Sequence, residues 1–373
     1  MNKSAEFTIG VEEEYQIIDP QTRELCGKAE QIIDYVREGL NADEQDVIQP
    51  EMYRSQVEIA TVVCQSLSEV RQELIRCRQA VIDAAQKTGK AIAAAGTHPF
   101  SDWREQQLTP KSRYQNLEAE FKQLIRELII FGNHVHVGVG DRAIGLQIID
   151  RVRIWLPVLL ALSANSPFWL GQQTDYASFR TEMWTRLPMT GLPEPFENEQ
   201  EYQTLVDDLV SAGAIRDASN IYWDIRLSDK FPTIEFRVTD ICLTVEEAVT
   251  ITGLVRALVW TAHQEVINNA PFERVRSEIM QAAHWCAARY GLTGKLIDVE
   301  NKVQLPAREL IEKFLDYLQP ALAEFDDWET ISTSVQKILE QGNGAQRQLA
   351  IYQKNRDFNE VVDYIVQQTQ KFA

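Results

Sequence analysis

The stretch Phe7–Ile18, FTIGVEEEYQII, decides how the rest of the chain is read. Taken with period two, Phe7, Ile9, Val11, Glu13, Tyr15 and Ile17 point one way, and Thr8, Gly10, Glu12, Glu14 and Gln16 point the other. The first set is mostly apolar and suits a core. The second puts two carboxylates on one face, with Cβ atoms roughly 7 Å apart along a strand. Like charges that close repel unless water, a basic group or a cation lies between them. On this stretch alone, an edge strand with solvated glutamates explains the pattern as well as an acidic site does.

Recurrence separates the two. In PEMYRSQVEIAT, Gln56, Glu58 and Ala60 alternate with Val57 and Ile59, with Glu51 just upstream. In GNHVHVGVG (132–140), His134, His136 and Gly138 oppose Val135, Val137 and Val139. Asp224 and Arg226 oppose Ile225 and Leu227, and Glu235 and Arg237 oppose Ile234, Phe236 and Val238. Strands of this design, separated by helices, predict one sheet with helices packed on its apolar face. Its other face becomes a surface lined with carboxylates and short of lysine. Such a set of oxygens suits Mg²⁺ or Mn²⁺. Two histidines one residue apart are a weak zinc signal, and hydrogen-bonding histidines in a cleft explain them equally. Arg180, Arg226 and Arg237 can grip carboxylate or phosphate bidentately, or pair with the nearby glutamates. No serine or cysteine stands in a nucleophile motif, which points to direct transfer between bound substrates, phosphoryl transfer first.

Between these strands the expected helices are Ala29–Gly39, Ser66–Lys87, Glu118–Phe131, an apolar segment up to Ala164, and Glu199–Ala212. Thr244-x-x-Glu247 is a capping box opening a long helix to about Asn268, and helical signals continue over 272–290, 306–318 and three further segments. Gly342-Asn-Gly344 reads as a turn; without a following Lys-Ser/Thr it is no P-loop. The stretch 165–198 lacks periodicity and reads as a long functional cover.

Composition limits the partners. The 373 residues carry a net charge of −18 and no basic block, which excludes a nucleic-acid binder of ordinary type. The apolar run around Ile154–Leu162 is too short for a membrane span of about 20 residues and contains Pro157. The opening residues lack the apolar core of a signal peptide, and five cysteines without CxxC spacing argue for reduced thiols. A cytoplasmic protein handling small molecules is the expectation.

In order, the chain contains GVEEEYQI, QVEIAT, GTHPF with Trp103, FGNHVHVGV, LSANSPF, YASFR, WDIRLS, EFRVTD and ARYGL, with GNGAQRQ as a weaker match. In this combination it resembles the glutamate–cysteine ligase type 2 family of carboxylate–amine ligases over nearly its whole length. The resemblance implies an α+β fold like the glutamine synthetase catalytic domain: a curved, mainly antiparallel sheet with helices on its outer face. It implies one domain over 1–373, mostly helical from about 244. It also implies a two-step reaction, in which ATP phosphorylates the glutamate γ-carboxylate and the amine of cysteine then displaces phosphate. The product would be γ-glutamylcysteine, on the way to glutathione.

By the same resemblance Glu12, Glu14, Glu58 and Glu235 are metal ligands, with Glu51 a further carboxylate of the set. Arg237 contacts the transferred phosphoryl group. His134 more than His136 faces metal or phosphate, and Arg180 and Arg226 hold substrate. Glu13 varies among relatives, which agrees with its pointing away. Phe179 and Thr181 flank Arg180 where relatives differ, so the acceptor stays open, and a homodimer is expected from relatives. A ligase for another carboxylate–amine pair, a guanidino phosphotransferase and a non-catalytic binder of Mg-nucleotide or amino acid are the competing readings.

Overall fold

The computed structural model describes residues 6–39 and 41–372, the side chains of 42–44 excepted. The strands run in the order β1 (Ile9–Ile18), β2 (Ile48–Pro50), β3 (Gln56–Ala60), β4 (Ala91–Ala93) and β5 (Gly132–Gly138). The two-residue strands β6 (Phe168–Trp169), β7 (Gln172–Gln173), β8 (Thr190–Gly191) and β9 (Tyr222–Trp223) follow, then β10 (Ile225–Leu227) and β11 (Thr233–Asp240). The helices up to the sheet's last strand are α1 (Ala29–Glu38), α2 (Leu67–Lys87), α3 (Ser112–Phe121), α4 (Gln123–Arg126), α5 (Arg142–Val152), α6 (Leu156–Ser163), α7 (Phe179–Trp184) and α8 (Glu199–Ser211). Beyond it lie α9 (Val245–Ile267), α10 (Ser277–Tyr290), the hairpin β12 (Lys295–Asp298) and β13 (Val303–Pro306), and α11 (Ala307–Glu324), α12 (Trp328–Gln341), α13 (Gly344–Asn355) and α14 (Phe358–Thr369).

The main sheet is antiparallel, ordered β10-β11-β5-β1-β3-β2, with β4 continuing β5's side of β1. The fold is therefore the expected α+β arrangement, and the Phe7–Ile18 stretch lies at its centre. Val11, Tyr15, Ile17, Val57, Val135 and Val137 are buried on one face. Each aliphatic side chain buried this way contributes about 1.5–3 kcal/mol. Helices α2, α6 and α9 pack against this sheet. The largest apolar cluster runs from Ile9 to Ile365, so the C-terminal helices share the sheet's core. Helix α9 begins at the expected capping box of Thr244 and Glu247, and a second box, Asn343 with Gln346, opens α13.

Two expectations need correction, and one element is added. The helix read over Glu118–Phe131 begins earlier, at Ser112, breaks at Lys122 (φ 51°) and ends at Arg126. Leu128–Phe131 is apolar and buried throughout because it leads straight into central β5, not because it is a helix face. The stretch 165–198 is not a structureless cover. It holds four short elements, pinned by hydrogen bonds from Ala177 and Ser178 N–H to the Ala288 carbonyl (2.8 and 2.9 Å) and by the parallel pairing of β8 with β9. Its order comes from groups far away in sequence, which periodicity does not register. The hairpin β12–β13 fills the gap between the expected helical segments 272–290 and 306–318, an element that the sequence reading did not assign.

Candidate active site

The sheet register brings the chemistry-bearing residues together. Glu12 stands opposite His134 and Glu14 opposite Glu58, while Glu235 lies between His136 and Arg226. All project from the face not covered by helix α2. A cavity of about 240 Å³ is lined by nine of the ten residues given site roles from the sequence; the tenth, Arg180, lines an adjoining cavity with Glu14, Glu51, His134 and Arg237, whereas Asp224, expected on the same face, is buried against His284 (2.9 Å).

Two donor clusters emerge. In one, an oxygen or ring nitrogen from each of Glu12, His136 and Glu235 lies within 4.8 Å of the others; Glu14, Glu51 and Glu58 form the second on the same criterion. The clusters differ in their neutralisation. Burial opposes the Glu235 charge, yet Arg237 and Arg226 hold its carboxyl far below the usual range. Arg226 donates to it from Nε (2.8 Å) and Nη2 (3.3 Å), and Arg237 from Nη1. Glu12 is likewise carried well below its ordinary value, burial notwithstanding, by His134 and His136. His134 Nδ1 lies 3.1 Å from Glu12 Oε2 and His136 Nε2 3.5 Å from Oε1.

The second cluster has too little such relief to offset its burial. Burial and the Glu51 charge push Glu14 up to about 7, against Arg180. Burial, then the charges of Glu12, Glu51 and Glu14, raise Glu58 well above the carboxylate range. Burial raises Glu51 too, with Arg113 opposing.

Both clusters fit a divalent cation. The buried His136 Nε2 has no hydrogen-bond partner among the described residues, while its Nδ1 is fixed by Thr233 Oγ1 at 3.0 Å. A ring held at one nitrogen by a hydroxyl, with the other nitrogen turned toward the carboxylates of its cluster, is how a metal-ligating imidazole is oriented. The oxygens of Glu14, Glu51 and Glu58 are hard donors whose mutual repulsion a cation would relieve. Of the histidine pair, it is His136 that falls in the donor cluster; His134 backs Glu12. Arg226 is occupied by Glu235 and by the Ile221 carbonyl.

Arg180 comes from α7, whose N-cap is Ser178. Its guanidinium donates to the Arg237 carbonyl (3.3 Å) and lies over Gly132, where any Cβ would collide with it. The Gly132 N–H donates in turn to Glu14 Oε2 (2.6 Å). Sequence reasoning missed Arg113, Tyr114, Trp184 and Tyr222, which line the cavities. Trp184 lies under the Arg237 guanidinium, 5.6 Å from ring to carbon. They sit on short helices and on β9, outside any strand pattern, so nothing in the periodicity marked them.

Known proteins resemble this chain in sequence and in fold. The model of the family described as Glutamate-cysteine ligase family 2 (GCS2) matches residues 8–364. Proteins named "Putative glutamate--cysteine ligase 2" align at 40% identity in Rhodopirellula baltica, over 97% of this chain and 96% of that one, and at 39% in Solibacter usitatus, over 98% and 94%. Among solved structures, the glutamate–cysteine ligase of Francisella tularensis in complex with AMP superposes with TM-score 0.70 at 13% identity, covering 99% of this chain and 90% of that one. A bifunctional glutathione synthetase from Pasteurella multocida gives 0.73 at 14%, covering 98% and 52%. The structural matches establish a shared fold, and the sequence matches establish kinship: the chain belongs to glutamate–cysteine ligase family 2.

Proposed function

We propose that this chain is a single-domain, ATP-dependent carboxylate–amine ligase, with glutamate as the carboxylate and cysteine as the first amine to try. The observation that carries the reading is the pair of adjoining donor clusters on one sheet face, with Arg237 facing both. Glu12, His136 and Glu235 would hold one Mg²⁺ or Mn²⁺ and Glu14, Glu51 and Glu58 a second, supplying Lewis-acid neutralisation of phosphate oxygens.

The chain's own groups do the rest by position and charge. Arg237, fixed by Glu235 and lying against Trp184, presents a permanent cation to the phosphoryl group as it moves from ATP to the carboxylate. ADP leaves, the amine nitrogen attacks the acyl carbon and sheds a proton, and phosphate departs. Arg180 and Arg113 flank the adjoining cavity, whose far end is apolar, with Met52, Phe121 and Ile125. The amino-acid substrates bind there.

The nucleoside is assigned to the other end. A cavity of about 540 Å³ opens beside Glu12 and His136, lined by Thr8, Thr61, Val63 and Phe231. Its floor is Gly10, on the same face of β1 as Glu12 and Glu14. A Cβ there would make only ordinary contact (3.7 Å, to His136), and its φ is not positive. Neither packing nor backbone requires this glycine, and the open strand face it leaves would accommodate a flat base. Five free thiols are consistent with a cytoplasmic setting.

The test is phosphate release from ATP and Mg²⁺ with glutamate, scanned across amines. Release that needs both glutamate and an amine, with a γ-glutamyl amide as product, supports the reading. ATP binding without release for any carboxylate–amine pair overturns it in favour of a binding protein.

A further inference from the structure

Three of the sequence motifs, LSANSPF, YASFR and EFRVTD, contain polar residues that the reaction does not use: Asn165, Ser166, Ser178 and Asp240. In the fold they converge on one carboxylate. Asp240, at the end of β11, is fully buried. Its Oδ2 accepts from the Asn165 N–H (2.8 Å) and Ser166 Oγ (2.7 Å), and its Oδ1 from Ser178 Oγ (2.8 Å). Arg180 Nη1 stands 3.9 Å from Oδ1. The hydroxyls pass the constraint on. Ser166 Oγ accepts from the Arg180 N–H (3.1 Å), and Ser178 Oγ accepts from the Thr181 N–H (3.3 Å), capping α7. Gly96 makes room, since a Cβ there would come within 2.8 Å of the Asp240 carboxyl carbon.

We propose that Asp240 is a positioning residue: it aims Arg180 at the cleft by fixing both the backbone that carries it and the charge that faces it. The geometry beyond Arg180 supports this. The guanidinium is 5% exposed, its Nε has no hydrogen-bond partner among the described residues, and it rests between the Arg237 carbonyl and Gly132. The Arg237 carbonyl holds the guanidinium by a hydrogen bond at 3.3 Å, and the Asp240 carboxylate faces it from behind at 3.9 Å as a charge. With the amide oxygen kept on the Asn165 N–H and the Ser166 hydroxyl, an asparagine turns its N–H₂ toward the Ser178 hydroxyl and the Arg180 guanidinium and removes the charge that faces Arg180. The inference rests on the ligase reading for its effect on turnover, but not for its effect on geometry.

Two measurements on Asp240→Asn, with Ser166→Ala as the milder variant, test it. A crystal structure of each, or the Arg180 Nε–H resonance in solution, reads the guanidinium directly, and displacement from Gly132 is expected. Phosphate release with glutamate and cysteine is then compared in a double-mutant cycle with Arg180→Met. Asp240→Asn should lower kcat/KM by about 100-fold, the scale of a misplacement of about 1 Å. In the Arg180→Met background it should lower it no further, whereas a merely structural role would give independent, multiplying losses. An unmoved Arg180, or multiplying losses, overturns the inference. A displaced Arg180 in a protein whose wild type shows no turnover upholds the positioning and overturns the ligase reading instead.

Discussion

The two faces of β1 carry the same residue type to opposite ends. Glu13 points to the helix side, where both it and Arg78 are fully buried. Arg78 donates to it from Nη2 (2.5 Å) and Nε (3.3 Å), Tyr15 adds its hydroxyl, and the remaining arginine donors reach the Cys242 and Leu243 carbonyls. Every charge there is answered by the protein. Glu12 and Glu14, one residue to either side, face the cleft. Glu12 is answered in part by imidazoles, and Glu14 meets two more carboxylates. A buried charge with a complete partner set is architecture, and one left among like charges marks a candidate site.

The contrast is broken most severely at Arg78. Arg78→Met leaves Glu13 buried and unpaired, and should destabilise the protein by about 3–5 kcal/mol in chemical denaturation. Replacing both partners, as in Glu13→Leu with Arg78→Met, should recover most of that loss. If the single and double variants are equally unstable, Glu13 is not the group that Arg78 holds.

On the cleft face the sign reverses. Glu58→Gln should reduce Mg-dependent phosphate release by about 100-fold or more, since even the partners behind metal ligands are worth about 10–100-fold. Its thermal midpoint after chelation should equal or exceed that of the wild type, because a repelling charge has gone. A clear loss of stability would move Glu58 into the architectural class.

Farther along the same face, Gly10→Ala should raise KM for ATP by about tenfold, the scale of one methyl group in a close-fitting pocket, with kcat little changed. An unchanged KM would displace the nucleoside from this end.

The smallest effect is on pH. The folded carboxyl of Glu14 lies at about 7, above its ordinary 4.5, so folding favours its protonated form. This contribution is fully present below about pH 4.5 and fades as pH rises through about 7. Chelated protein should therefore lose a few degrees of thermal midpoint between pH 5.5 and 8, and Glu14→Gln should flatten that slope, at about 2–4 °C per kcal/mol for a chain of moderate size.

Much of this contrast was legible in the sequence. Alternation in Phe7–Ile18, Gln56–Ala60, His134–Val139 and Thr233–Asp240 marks which side chains share a face, because a strand's period is fixed by its backbone. Glu51, outside any alternation, was visible through its place just upstream of Glu58 and through the family resemblance. Register was not visible: nothing local says that Glu14 meets Glu58 or that Glu235 meets His136, since those pairings depend on strand order. The occupation of Arg226 by Glu235 is a contact across strands, and Arg113 reaches the cleft from a helix. Asn165, Ser166, Ser178 and Asp240 were conspicuous as motif residues, but their common purpose needed three dimensions.

The most direct test of the two-cluster account is the number of Mn²⁺ ions bound per chain in the presence of a non-hydrolysable ATP analogue, followed by electron paramagnetic resonance. Two ions are predicted for the wild type, with Glu58→Gln losing one and Glu235→Gln the other. One ion or none in the wild type, or the same count in both variants as in the wild type, would contradict it.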